Sequence, residues 1–156
     1  EMTEKIRCAS EKRNELDPDF IIMARTDALA VEGIDASIQR AKEYVDAGAD
    51  MIFFEAVTKL DEYKQCIDAL PNVPVLANIT EFGKTPLFTE QELKEVGIGL
   101  MLFPLSAFRA MSKAAQTVYE HINTHGSQKD ILSMMQSRQE LYDNLDYESF
   151  ESRINN

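Results

Sequence analysis

Phe20-Ile21-Ile22-Met23-Ala24-Arg25 decides how the rest of the chain is read: five apolar residues in succession, closed by a guanidinium. An unbroken apolar run of this length fits a strand buried on both faces of a parallel sheet rather than one alternating between core and water. The pattern recurs at Met51 to Glu55, at Val73 to Asn78 and at Gly97 to Phe103, with Arg109 just beyond the last run. Polar side chains gathered at the carboxyl ends of successive parallel strands are what an active site on a (β/α) barrel is made of.

Between the runs the apolar spacing becomes helical. Gly33-Ile34-Asp35 opens a helix with Ile38, Ala41, Val45 and Ala47 on its buried stripe and Gly48 as a left-handed cap. A second helix is expected from Leu60 to Leu70, stopped by Pro71, and a third from Glu90 to Val96 behind the capping box Thr89 to Glu92. The intervening strands are Met51 to Ala56, Val73 to Thr80 and Ile98 to Phe103. Upstream, Glu1 to Leu16 sets Met2, Ile6, Ala9 and Leu16 near one helical face and ends at Asp17-Pro18-Asp19. Downstream, Leu105 to His125 is a longer helix closed by Gly126, and Asp130 to Asn144 and Tyr147 to Arg153 are helical by pattern.

Alternating strands and helices with short links predict an α/β fold with a parallel sheet. The strands recur at intervals close to the ~30 residues per unit of an eight-unit barrel of ~250 residues. The fold expected is half of a (β/α)8 TIM-type barrel followed by additional helices. A complete barrel needs four more units on the amino-terminal side, and Glu1 falls in mid-helix, so the sequence reads as the carboxyl-terminal part of a longer polypeptide. Its 156 residues form a single domain fragment, with the half barrel at 1–126 and carboxyl-terminal helices at 127–156. Those helices carry Ile131, Met134, Met135, Leu141, Tyr142 and Phe150. This apolar face needs a surface, either the outside of the same barrel or a neighbouring subunit, and its excess of methionine and aromatic groups gives the second weight.

Sixteen Lys and Arg stand against 27 Asp and Glu, a net charge of −11, which repels phosphate backbones and anionic lipid and excludes nucleic acid and membrane as expected partners. A small anion can still bind where arginines concentrate in one cleft, because charges a few ångströms away outweigh a screened global field. The two cysteines, Cys8 and Cys66, have no CxxC partner and no histidine at ligand spacing, so they suggest neither a zinc site nor a disulfide framework and fit a reducing, cytoplasmic setting. Both read as packing residues. No run approaches the ~18 apolar residues of a membrane helix.

Within the strand ends, Ile21, Met23 and Arg25 share a face, and Arg25 offers a planar fork for a carboxylate or else an ion pair with Asp27 or Asp50. Glu55 repeats the position one unit later, as partner of Arg25, ligand contact, or both. Asn78 and Thr80 supply neutral donors with the Ile79 backbone between them, and Glu81 to Pro86 is a polar loop that either folds over a ligand or simply connects. Arg109 lies in the first turn of its helix, where free backbone N–H groups also favour an anion. Arg138 by spacing alone is a solvated helix residue, and His121 and His125 lack a third metal ligand nearby. No nucleophile or general acid accompanies these groups; this segment binds, and the reacting groups lie elsewhere.

Ile22 to Ala28, Ala47-Gly48-Ala49-Asp50, Phe54-Glu55-Ala56, Leu76 to Gly83 and Pro104 to Ala110 together resemble the isocitrate lyase and phosphoenolpyruvate mutase superfamily along essentially the whole chain. The resemblance implies strands five to eight of the barrel and a retro-Claisen cleavage of 2-methylisocitrate to pyruvate and succinate, with Mg2+ holding the pyruvate-like end. Pro104 to Ala110 and Met135-Gln136-Ser137-Arg138 favour that substrate, whereas Asn78 to Gly83 also resembles members acting on dimethylmalate or oxaloacetate. Carried over by position, Arg25 binds the pyruvate carboxylate with Glu55 beside it, Asn78, Ile79 and Thr80 hold the succinate moiety, and Arg109 and Arg138 complete the anion pocket. The metal aspartates and the catalytic cysteine loop are then expected before Glu1, and Cys8, flanked by Arg7 and Ala9, is not that cysteine. The resemblance further implies a homo-oligomer, a tetramer, exchanging its carboxyl-terminal helices. A reading of another class, a half barrel that acts only by association, must leave two strand edges open to aggregation.

Overall fold

Four short strands, β1 (Met23–Thr26), β2 (Met51–Phe54), β3 (Val75–Asn78) and β4 (Leu100–Leu102), form one parallel sheet in strict chain order in the computed structural model, which describes residues 1–154. Each strand is too short to pair without help from its neighbours, and the intervening helices return the chain for the next parallel strand. These are α3 (Ile34–Asp46), α4 (Leu60–Ala69) and α5 (Glu90–Val96). Helix α1 (Met2–Leu16) precedes β1, and the short α2 (Leu29–Glu32), absent from the sequence reading, sits before α3.

Pleating divides the sheet into two chemically different faces. Ala24, Thr26, Ile52, Phe54, Val75 and Ala77 are buried, and most of them join Ala41, Tyr44, Tyr63, Cys66 and Leu93 of the helices in one core. Burying each large apolar side chain there contributes about 1.5–3 kcal/mol. Met23, Arg25, Met51, Phe53 and Asn78 alternate with them and are less covered, Leu76 is buried on that same side, and Leu100 and Leu102 of β4 are exposed. In register, Arg25 lies beside Phe53, Phe53 beside Leu76, and Asn78 beside Leu102.

At the amino ends of β1 and β2 a second polar cluster ties α1 to the sheet. Arg13 donates to Asp50 Oδ2 at 2.7 Å, to the Phe20 carbonyl at 3.2 Å, to Ser10 Oγ at 3.2 Å, to the Gly48 carbonyl at 3.4 Å and to Asn14 Oδ1 at 2.8 Å. Asp50 Oδ2 also accepts the Ile22 N–H at 2.8 Å. Gly48 holds φ at 106°, as its expected left-handed cap requires, and a Cβ there would meet Ser10 Oγ at 2.2 Å.

Several expected boundaries move, each for a local reason. β1 begins at Met23 rather than Phe20, because the Phe20 N–H is taken by the Asp17 carbonyl and β2 offers a ladder partner only from Met51. Phe20 and Ile21 are exposed. β2 ends before Ala56, which turns to φ 65°. β3 begins after Pro74, which has no N–H to donate. The buried face of α1 is Ile6 and Ser10, with Met2 and Leu16 exposed, so the stripe expected there is displaced. Cys8 is exposed rather than packed, whereas Cys66 is fully buried and its thiol is pushed up to about 12 by that burial.

The chain packs as two units, Glu1–Ala107 and the residues from Phe108 onward. The second consists of most of α6 (Ser106–His125), a 3-10 segment over Lys129–Met134, α7 (Arg138–Leu145) and α8 (Tyr147–Ile154). The single helix expected over Asp130 to Asn144 is therefore broken: Met135 is extended, and Ser137 starts α7 anew through a capping box with Glu140. None of the described residues from Phe108 onward is buried, and Phe108, Met111, Leu132, Met134 and Phe150 are all exposed.

Candidate active site

The carboxyl ends of β1, β2 and β3 deliver one side chain each to a shared cluster. Glu55 follows the last residue of β2, and its N–H is fixed on the Thr26 carbonyl at 3.1 Å, which holds the end of β2 beside the end of β1. Glu55 Oε2 lies 3.3 Å from Arg25 Nη2 and accepts from Asn78 Nδ2 at 3.3 Å. The three candidates Arg25, Glu55 and Asn78 thus meet on one carboxylate oxygen. The Arg25 guanidinium also stands 4.6 Å over the Phe53 ring, an arrangement in which the ring's negative face favours the cation.

The ion pair weighed for Arg25 is with Asp27, not Asp50, which Arg13 has taken. Arg25 Nε and Nη2 donate to the two oxygens of Asp27 at 2.9 and 2.8 Å, a bidentate fork. This contact lowers the Asp27 carboxyl below its ordinary value, and the same bond raises the guanidinium above its own. Among the described residues Nη1 has no hydrogen-bond partner, so two donors of the guanidinium stay open. Arg25 is 47% exposed by side chain, Asp27 64% and Glu55 19%.

Asn78 carries the clearest sign of an absent partner. Its Oδ1 is buried with no hydrogen-bond donor. Exchanging the amide O and N would turn an oxygen toward the Glu55 carboxylate, so the orientation is fixed by charge. A buried acceptor left unmet costs about 1–3 kcal/mol, and a ligand hydroxyl would meet it. Beneath the cluster, Tyr63 of α4 is fully buried; desolvation and then the nearby Glu55 charge raise its hydroxyl well above the ordinary tyrosine range, which keeps it neutral.

The Ile79 side chain is buried in the core and its N–H donates to the Leu102 carbonyl at 2.8 Å. Thr80 is half-buried at the same strand end. The loop that follows is anchored where Ser106 donates to the Glu81 carboxylate, and Phe82 stands exposed at φ 64°. Arg109 occupies the first turn of α6 as expected, and Arg138 is the first residue of α7; both belong to the second unit and are exposed. His121 and His125 stack at 4.2 Å, and among the described residues no group of three or more His, Cys, Asp or Glu could hold a metal ion.

Sequence reasoning passed over Arg13, whose local signal was only its place three residues after Ser10 on one helical face; its partners Gly48 and Asp50 are brought to it by the fold. It also treated Asp27 only as an alternative partner of Arg25.

Comparison with known proteins places this geometry. The 2-methylisocitrate lyase of Escherichia coli strain K12 is 53% identical over 156 residues, all of this chain and 52% of that protein. Among solved structures, a 2,3-dimethylmalate lyase of the PEP mutase/isocitrate lyase superfamily superposes with a TM-score of 0.85 at 29% identity, over 99% of this chain and 54% of that one. An oxaloacetate acetylhydrolase in complex with its product oxalate gives 0.77 at 31% identity, over 81% and 44%. The chain spans about half the length of the curated relatives it matches. The phosphoenolpyruvate phosphomutase family model matches residues 1–123, the stretch that holds all four strands and the cluster at their carboxyl ends, and the chain belongs to that family.

Proposed function

We propose that this chain is the substrate-carboxylate-binding half of a Mg2+-dependent carbon–carbon lyase that cleaves 2-methylisocitrate to pyruvate and succinate, the reaction of propionate catabolism through a methylcitrate cycle. The observation that carries the reading is the convergence of Arg25, Glu55 and Asn78 on one point at the strand ends, with two guanidinium donors and one buried amide acceptor unmet. The 53% identity to a 2-methylisocitrate lyase supports the choice of substrate.

In this reading the four strands are strands five to eight of a (β/α)8 barrel, 1–126 being the half barrel and 127–156 the carboxyl-terminal helices of a single domain fragment. Arg25 takes the carboxylate of the pyruvate moiety. Glu55 receives a substrate hydrogen bond, and Asn78, Thr80 and the Ile79 carbonyl line the succinate moiety. Arg109 and Arg138 complete the charge balance that a tricarboxylate demands. Cleavage leaves carbanion charge beside a carboxylate, and donors already oriented there stabilise it without reorganising. By resemblance the Mg2+ ligands and the catalytic cysteine loop are assigned to the part of the relatives' length that this chain does not span, and no proton transfer is assigned within this chain. A cytoplasmic homo-oligomer, a tetramer exchanging its carboxyl-terminal helices, would cover the exposed apolar groups between Phe108 and Phe150.

A second reading keeps the fold and changes the substrate to dimethylmalate, isocitrate or oxaloacetate, favoured by the 2,3-dimethylmalate lyase and oxaloacetate acetylhydrolase structures. Assay of the intact enzyme on 2-methylisocitrate, dimethylmalate and oxaloacetate separates the two. The proposal requires the highest kcat/KM on 2-methylisocitrate; a preference for either of the others replaces it.

A further inference from the structure

The bond that occupies Arg25 is made by a group of the same kind as the proposed ligand. Asp27 is a carboxylate, the same group that the proposed substrate presents, and it fills the Nε and Nη2 edge in the bidentate geometry that a substrate carboxylate would use. Arg25 therefore faces two carboxylates already, and the trio Arg25, Asp27 and Glu55 carries a net charge of about −1 near neutral pH, which opposes a third anion.

The two carboxylates are not equally able to leave. Glu55 is 19% exposed by side chain, accepts from Asn78, and has its main chain tied to Thr26. The Asp27 side chain is 64% exposed, lies just past the end of β1, and among the described residues is bonded only by Arg25, through the two hydrogen bonds of the fork. It lines, with Arg25, Ala28, Glu32 and Arg40, an open cleft of about 280 Å3, which gives its side chain solvent to rotate into. An exposed pair of this sort is weak enough to exchange readily.

Resting on the reading of Arg25 as a carboxylate binder, we propose that Asp27 is an internal competitor for Arg25: it occupies the guanidinium while the site is empty and yields it to the substrate carboxylate. Asp27 thus acts through Arg25, as a positioning residue. It keeps the guanidinium over the Phe53 ring between turnovers and sets a threshold that weakly binding monoanions do not pass. Replacing its charge must then tighten anion binding, an effect that loss of structural support cannot produce.

The test is calorimetric titration of the intact protein with oxalate in excess Mg2+, using Asp27→Asn, Asp27→Glu and Arg25→Gln. Asp27→Asn lowers the oxalate Kd about threefold, in keeping with release of a weak exposed pair, and Asp27→Glu, which restores the charge, stays near the wild-type value. If Asp27→Asn binds oxalate no tighter, or more weakly, while Arg25→Gln abolishes binding, Asp27 is a support and the proposal is overturned. If Arg25→Gln leaves the Kd unchanged, the reading of Arg25 itself fails.

Discussion

The same sheet carries an arginine cluster at each end, and the two are built to opposite specifications. Arg13, at the amino ends of the strands, is 12% exposed by side chain, and every one of its nitrogens is bonded, to acceptors on α1, before β1 and before β2. Arg25, at the carboxyl ends, is 47% exposed, keeps Nη1 open, and shares its carboxylate neighbour with an amide whose oxygen has no donor. A guanidinium whose donors are spent fastens the fold; one with donors in reserve receives something. In the proposed barrel this division matches the rule that the amino-terminal end of the strands serves stability and the carboxyl-terminal end serves chemistry.

The comparison breaks first if Arg13 is not a clamp. Arg13→Ala removes five hydrogen bonds and strands the half-buried Asp50 carboxylate, and it should lower the unfolding free energy of the intact protein by about 2–3 kcal/mol, read by denaturant titration, with kcat/KM within twofold of wild type. An equal loss of activity would make the two ends alike. Gly48→Ala attacks the same corner through the main chain: φ 106° and a Cβ 2.2 Å from Ser10 Oγ. It should cost about 1–3 kcal/mol, and adding Ser10→Gly should recover the part due to collision and leave the part due to φ.

Thiol chemistry sharpens the contrast between covered and open surface. Cys8 should react with an aromatic disulfide reagent at once and Cys66 only on unfolding. The sign of the pH effect follows from the raised Cys66 thiol: its contribution is complete below the ordinary value of 9.0 and is lost as pH rises from there toward about 12, because the unfolded chain ionises first. Thermal scans over that window should show a fall in Tm that Cys66→Ala makes shallower. The smallest effect is expected at Thr89, whose side chain accepts the Glu92 N–H at the start of α5; Thr89→Ala should cost about 1 kcal/mol and leave both arginine clusters untouched.

The alternation of strands and helices, the Thr89 cap and the left-handed Gly48 were legible in the sequence because each is a local signal with one physical reading. Arg25, Glu55 and Asn78 were legible as strand-end positions, since each closes an apolar run; the pleat grouped Arg25 with Ile21 and Met23 but left open whether that face meets the barrel mouth or the helix layer. Their meeting on a single oxygen was not, because register between strands decides it. Phe20 and Ile21 misled, as apolar residues lying before the partner strand can extend a run without extending the ladder. Ser137 and Glu140 form a capping box that the helical pattern of Asp130 to Asn144 concealed, although it has the same spacing as the box at Thr89. Arg13 was missed because its partners Asp50 and Gly48 are more than thirty residues away in sequence.

The most direct test is Arg25→Ala in the intact enzyme, with kcat/KM on 2-methylisocitrate and Tm measured on the same preparation. Loss of a charged donor pair to a substrate carboxylate should lower kcat/KM by about a hundredfold or more, while Tm shifts little because the pair with Asp27 is exposed and Glu55 keeps its bond from Asn78. A variant with near-normal kcat/KM, or one whose activity falls only in step with its Tm, would contradict the assignment of the carboxyl-end cluster as the place where substrate is held.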